Sequence, residues 1–90
     1  MKIILDKQAI DELRRLNYKY NRLYLKIGCW SGLILGLVED NKINKDDIII
    51  HVDGFDFLID KDLSLGLADE IYIDYEGEEF SKGFMIYLWK

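Results

Sequence analysis

The sequence contains one cysteine, no proline and no hydrophobic run of the roughly 20 residues that a membrane helix needs. A single cysteine excludes a disulfide within the chain, which fits a reducing compartment. Without proline, no segment marks a break between domains, and 90 residues suffice for one domain but not for two. We therefore expect a single domain over residues 1–90. Because no membrane segment or signal peptide is evident, we expect a cytoplasmic protein.

Basic residues are also scarce. The chain carries 12 Lys and Arg against 17 Asp and Glu, a net charge of −5. The densest basic segment, from Arg14 to Arg22, belongs to a predicted helix and its exit, where charges usually solvate a surface. Phosphate backbones require clustered Lys and Arg, so we expect no nucleic-acid partner and no membrane contact. Half of the residues are hydrophobic, which excludes a disordered chain.

The hydrophobic pattern changes along the N-terminal half. After a short strand, apolar residues repeat at helical spacing, and Asp6 is placed to cap this helix with its carboxylate. From Leu23 the period changes to two, which predicts a half-buried strand with Leu23 and Leu25 on its inward face. The run Leu33–Val38 has apolar residues at both parities and predicts a strand covered on both faces.

Asp53-Gly54 is the clearest turn signal. It lies between two β-rich runs, residues 48–52 and 55–59, and a type I′ turn needs positive φ at both central positions. The pattern therefore predicts a β-hairpin. Asp60 is then placed to cap a single helical turn over residues 61–65 that Gly66 closes. The remaining alternation predicts strands at residues 70–75 and 83–89, and hence an α+β fold dominated by strands.

The order of these segments resembles the HesB-like domain of the A-type iron–sulfur cluster carrier family. The matching residues are Ala9, Leu13 and Leu16 in the helix, the stretch Leu25-Lys26-Ile27-Gly28-Cys29-Trp30-Ser31-Gly32 with Gly36-Leu37, the hairpin Val52-Asp53-Gly54 with Leu58-Ile59-Asp60 and Leu63, and finally Ile73-Asp74-Tyr75 and Gly83-Phe84. Together they span about residues 3–86. The resemblance implies a small β-sandwich or pseudo-barrel with an N-terminal helix and a short second helix. It also implies a role in iron–sulfur cluster biogenesis, with Cys29 binding iron or an iron–sulfur cluster.

Two departures from the family pattern bear on that role. Trp30 stands between Cys29 and the Ser-Gly pair, where it either blocks the site or lines it. The family's C-terminal Cys-Gly-Cys is missing, because no cysteine follows Cys29. A cluster takes about four ligands, mostly thiolates, whereas one chain offers one thiol and a dimer two. Weak or shared binding of iron or a cluster therefore needs a second copy or an iron–sulfur assembly protein as partner. The alternative is a metal-free interaction or structural module that keeps only the fold.

The other candidate residues favour neither a metal site nor an enzyme. Cys29 has a structural alternative, since free cysteine often serves as a small buried hydrophobe. His51 has no Cys or His at metal-ligand spacing and is better explained as a hydrogen-bonded structural residue. A nucleophilic Cys29 would lack a base, so we expect no enzyme. Trp89 at the C-terminus is the aromatic residue we expect to contact a partner or a second copy.

Overall fold

The computed structural model describes residues 1–28, 32–67, 69–77 and 83–89. Within these ranges the chain forms, in order, β1 (Lys2–Leu5), α1 (Lys7–Leu16), β2 (Tyr20–Gly28), β3 (Gly32–Asp40), β4 (Asp47–Val52), β5 (Phe55–Asp60), α2 (Lys61–Leu67), β6 (Glu70–Glu76) and β7 (Gly83–Trp89). The strands make a three-stranded sheet, β1-β6-β7, and a four-stranded sheet, β3-β2-β5-β4. The strand-dominated α+β fold predicted from the sequence is confirmed.

Helix α1 begins where the sequence predicts, but the cap differs. Asp6 occupies the N-cap position, and its side chain makes no capping hydrogen bond, so the predicted carboxylate cap is wrong. The Asp6 N–H donates to the Ile73 carbonyl at 3.0 Å. The β1–β6 ladder therefore holds Asp6 as a continuation of the strand. The helix buries Ala9 and Leu13 and ends at Leu16. The next residue, Asn17, donates its N–H to the Leu13 carbonyl and turns the chain out of the helix with a left-handed backbone.

Strands β2 and β3 form a long antiparallel hairpin, in which Gly28 lies opposite Gly32. Leu23 is buried, but Leu25 is 42% exposed, so the predicted inward face is wrong at Leu25. The reason is the neighbouring strand: β2 pairs with β5 only from Asn21 to Leu23. Beyond that point β2 pairs with β3 alone. In β3, Val38 is 45% exposed, so the prediction of two covered faces is also wrong.

Gly36 is required by an aromatic ring that crosses the β2–β3 hairpin. Gly36 lies opposite Tyr24 in the register. A Cβ placed at Gly36 would lie 2.6 Å from the Tyr24 Cζ, well inside van der Waals contact. The absent side chain thus lets the Tyr24 ring lie across the neighbouring strand and cover backbone there.

The β4–β5 hairpin has the predicted turn. Asp53 has φ 52° and Gly54 has φ 84°, the positive values that a type I′ turn needs. Strand β5 pairs with β4 on one side and runs parallel to β2 on the other. Phe57 and Ile59, which β5 directs to the same face, are fully buried. The hairpin signal in the sequence is confirmed.

Helix α2 follows β5 directly. The Asp60 carboxylate accepts hydrogen bonds from the N–H groups of Asp62 at 2.9 Å and Leu63 at 3.3 Å, so the predicted cap is confirmed. The helix runs through Gly66 to Leu67, two residues beyond the predicted end at residue 65, so the prediction that Gly66 closes it is wrong. It leads into β6, which runs parallel to β1 and antiparallel to β7.

The two sheets and α1 share one hydrophobic core. It is built from Ile3, Ala9, Leu13, Leu23, Leu35, Phe57, Ile59, Ile71 and Ile73. Its members come from β1, α1, β2, β3, β5 and β6, so each layer contributes to the same cluster. The side chains on the opposite face of each sheet lie outside this core cluster.

Candidate functional site

The predicted metal ligand belongs to the connection between β2 and β3. Cys29, with Trp30 and Ser31, joins Gly28 to Gly32 and lies outside the described residues. The described strands define where this connection is attached. It follows the part of the hairpin that β5 does not reach, since β5 pairs with β2 no further than Leu23. Among the described residues, β2 and β3 are the strands of this sheet that lie at the attachment point.

Metal-ligand residues do not gather elsewhere in the described part of the chain. In residues 1–28, 32–67, 69–77 and 83–89, no group of three or more His, Cys, Asp and Glu is arranged to hold a metal ion. His51 has a side chain that is 73% exposed, and its Nδ1 pairs with the Asp56 carboxylate across the β4–β5 hairpin. This pairing agrees with the structural role predicted for His51.

Arg22 forms an ion-pair network that joins three strands. Its Nε contacts the Asp40 carboxylate at 2.6 Å, and its Nη1 and Nη2 contact the two oxygens of Asp47 at 2.8 and 2.6 Å. The Asp47 side chain is only 2% exposed. Such a two-pronged contact matches the planar guanidinium to the carboxylate. The sequence showed no sign of this network, because Asp40 and Asp47 lie 18 and 25 residues after Arg22 in the chain. Only strand pairing brings the three side chains together.

The positive charge of Arg22 favours the ionised form of both carboxylates in this network. Hydrogen bonds from Arg22 lower the pKa of Asp47 below its usual value, while burial opposes the shift. The pKa of Asp40 is lowered in the same way, first by Arg22 and then by the backbone N–H of Lys42. Asp40 lies opposite Tyr20, at the far end of the hairpin from Gly28. The network is therefore a clamp at the open end of the β2–β3 hairpin, remote along both strands from the cysteine connection.

A second surface feature is a groove on the three-stranded sheet. It has a volume of about 950 Å³ and is lined by aromatic, aliphatic and acidic side chains. Trp89, the aromatic residue predicted to contact a partner, lies in it and is 61% exposed. Its indole meets the ring of Tyr72 edge-on, with centroids 6.2 Å apart. The partner contact itself stays a prediction, and the groove defines the surface on which it would be made.

Solved structures share this architecture. IscA, in a crystal structure with a 2Fe–2S cluster, superposes with a TM-score of 0.79 at 17% identity, over 96% of this chain and 84% of its own. The chain has a HesB-like fold. Escherichia coli SufA, described as involved in iron–sulfur cluster biosynthesis, has a TM-score of 0.75 at 19% identity, covering 97% of this chain and 80% of its own.

A protein from Aquifex aeolicus solved by NMR also has this HesB-like fold, with a TM-score of 0.72, 18% identity and coverage of 97% of this chain and 94% of its own. No protein-family model matches the sequence, and neither does any curated protein. The likeness is therefore one of fold, carried by the core and the strand order. No helix in the described residues is long and apolar enough to cross a membrane.

The donor set of one chain does not fit a complete iron–sulfur cluster. A cluster takes about four ligands, predominantly thiolates, and the chain has a single cysteine. His51 is engaged with Asp56 on a different hairpin. Any cluster on this fold therefore needs ligands from outside the chain.

Proposed function

We propose that the protein serves in iron–sulfur cluster biogenesis, where it handles iron or a cluster weakly or in a shared site through Cys29. The observation that supports this most directly is the similarity of fold to IscA, which was solved with a 2Fe–2S cluster, over 96% of the chain. In this proposal iron or the cluster is cargo, and the protein is a carrier that catalyses no reaction. A single domain acting in the cytoplasm is part of the same proposal.

The ligand count determines how such a carrier would work. Two copies of the chain bring two Cys29 thiolates together, and about two further positions on a two-iron cluster are left for other donors. An iron–sulfur assembly protein or an external thiol such as glutathione supplies them. A site that shares its ligands with a partner releases its cargo when that partner leaves. This arrangement suits transfer better than storage.

The attachment of Cys29 supports a shared site. The connection that carries it joins Gly28 to Gly32, at the end of the hairpin beyond the residues of β2 that pair with β5. The side chains of Tyr24, Leu25 and Lys26 on this part of β2 are exposed. Among the described residues, no third strand of the same sheet pairs with this part of the hairpin, which is the side from which a second ligand donor would approach.

The alternative function is a metal-free interaction module. The groove beside Trp89 favours it, because an exposed aromatic surface is typical of protein contacts and needs no metal. Under this alternative Cys29 would act as a small apolar side chain. The two functions differ in one measurable property, the uptake of iron.

Anaerobic reconstitution separates them. The purified protein is incubated with ferrous iron and sulfide, and visible absorption is recorded after desalting. We expect a sulfide-to-iron charge-transfer band in the wild type and in His51→Ala, and its loss in Cys29→Ser. A Trp30→Ala variant shows whether the indole restricts the site or contributes to it. If the wild type takes up no iron with or without added glutathione, the carrier function is wrong and the metal-free module stands.

A further inference from the structure

The outer face of the three-stranded sheet carries an aromatic groove, defined by Ile4, Tyr72, Tyr87 and Trp89. The strand register explains why these side chains meet. Tyr72 lies opposite Tyr87 in β7 and beside Ile4 in β1, while Trp89 lies opposite Glu70. Alternate residues of β6, Ile71 and Ile73, point the other way into the core. The groove therefore occupies the face of the sheet that the core does not use.

The aromatic side chains of this groove are exposed to an unusual degree for their size. Tyr72 is 37% exposed, Tyr87 51% and Trp89 61%. Tyrosine and tryptophan are the residues most enriched at energetically important contacts between proteins. Three of them on one open face, around a groove of about 950 Å³, form a preassembled contact surface. Its volume is that of a site for a few side chains.

The rim of the aromatic groove is acidic. Asp6, Asp69, Glu70 and Asp74 all line it. Within the described ranges, none of the four forms an ion pair with Lys or Arg. Lys2 lies beside Glu70 in the register and is the basic residue that β1 adds to this face. Among the described residues of this rim the carboxylates outnumber the cation, so their summed charge is negative.

The position of Asp69 is fixed by both edge strands. Its N–H donates to the Trp89 carbonyl at 2.9 Å, and its carbonyl accepts from the Lys2 N–H at 3.0 Å. The Glu70 carboxylate accepts a hydrogen bond from the Tyr72 hydroxyl at 3.1 Å. Carboxylates are therefore held directly beside the aromatic rings. This juxtaposition suits a guanidinium, which stacks on an aromatic face and pairs with a carboxylate at the same time.

We propose that the aromatic groove binds an extended segment of a partner protein in which arginine or lysine alternates with apolar residues. Within the described residues β7 forms strand pairs only with β6, and its other edge is the one that would take the main chain of such a segment. Alternate side chains would then reach the groove. A second copy of this chain is the wrong occupant, because its acidic rim would face an identical one. The proposal does not depend on Cys29.

The test uses a fluorescein-labelled peptide of alternating arginine and leucine, as long as β7, and a control peptide with citrulline in place of arginine. We expect fluorescence anisotropy to show binding of the arginine peptide to the wild type and to Cys29→Ser. Trp89→Ala and Tyr72→Ala should each weaken binding about tenfold or more, as truncated aromatic anchors do. The double variant Asp69→Asn with Glu70→Gln should weaken it and reduce its dependence on salt.

Matched controls come from β3 of the other sheet and from the turn that precedes β4. Val38→Ala removes an exposed apolar side chain, and Asp46→Asn removes an exposed charge, both away from the groove. Both should leave the affinity unchanged, and circular dichroism should show that every variant is folded. The proposal is overturned if the wild type does not bind, if the citrulline peptide binds equally well, or if controls and groove variants behave alike. It is also overturned if sedimentation shows a dimer that Trp89→Ala dissociates, since the groove would then be a self-interface.

Discussion

Among single residues, Arg22 and Asp47 carry the clearest energetic consequence. Asp47 is 2% exposed and Arg22 16%, so the loss of one partner leaves the other charge poorly solvated. We expect Arg22→Ala to lower the free energy of unfolding by about 3 kcal/mol, measured by urea denaturation. Arg15, which pairs with Glu12 on the surface of α1, provides the control. Arg15→Ala should have no measurable effect, and equal losses for the two variants would contradict the assignment of the clamp.

The same residues predict how stability depends on pH. The folded protein holds the pKa values of Asp40 and Asp47 below the ordinary 3.8. A carboxyl group whose pKa is lowered by folding stabilises the protein fully above its unfolded pKa and loses that effect as the pH falls through its folded pKa. We therefore expect the free energy of unfolding to decrease as the pH is lowered from about 5 to about 2. In Arg22→Ala this fall should be shallower; an unchanged profile would exclude Arg22 as its cause.

At the residue scale, the sequence predicts features that depend on neighbouring residues, but not contacts between residues far apart in the chain. Asp53-Gly54 predicts its turn correctly, because the positive φ values of the turn depend on those two residues themselves. The partners of Arg22 could not be read in this way. They lie 18 and 25 residues further along the chain, and only the register of β2, β3 and β4 brings them together.

At the scale of elements, two glycines test the turn and helix assignments in opposite directions. Gly54 has φ 84°, a backbone conformation in which a side chain is strained. Gly54→Ala should therefore lower the free energy of unfolding by about 1–2 kcal/mol. Gly66 lies within α2, and a Cβ there meets no atom within 4 Å. Gly66→Ala should therefore raise the free energy of unfolding by about 0.5–1 kcal/mol. Thermal and urea unfolding of both variants measure the contrast; a change of the same sign in both would refute it.

The existence of the elements could be predicted from the sequence, whereas their exposure could not. Hydrophobic alternation places β6 and β7 correctly, because Ile71 and Ile73 repeat with the period of a strand. The same alternation fails at Leu25, since its burial depends on how far β5 extends along β2. The Asp6 cap fails for a similar reason, because pairing with β6 holds its backbone in a strand. Local pattern determines the element, and tertiary pairing determines which of its faces is covered.

At the scale of the whole molecule, the fold and the capacity to bind metal depend on different sets of residues. The chain shares its fold with IscA and SufA at 17% and 19% identity, which is possible because a core of this size accepts many combinations of apolar residues. Metal binding, by contrast, depends on a few individual side chains. The single cysteine is visible in the sequence, and so is the ligand deficit that it creates. The aromatic groove is not, since its residues come from β1, β6 and β7.

The two proposed surfaces differ in chemistry and can be tested apart. The carrier function requires the thiol of Cys29, whereas the aromatic groove uses rings and carboxylates. Trp89→Ala should therefore leave iron uptake unchanged, and Cys29→Ser should leave peptide binding unchanged. Loss of both properties in either variant would mean that the two surfaces act as one.

Native mass spectrometry of the anaerobically reconstituted protein tests the central claim most directly, because it reports the number of chains and of metal ions in the same particle. The carrier function predicts iron or a cluster bound to two copies of the chain, or to one copy with an external thiol. It also predicts that Cys29→Ser carries no metal. Metal-free wild type under every loading condition, or equal metal content in wild type and Cys29→Ser, would contradict a function in which the single cysteine holds the cargo.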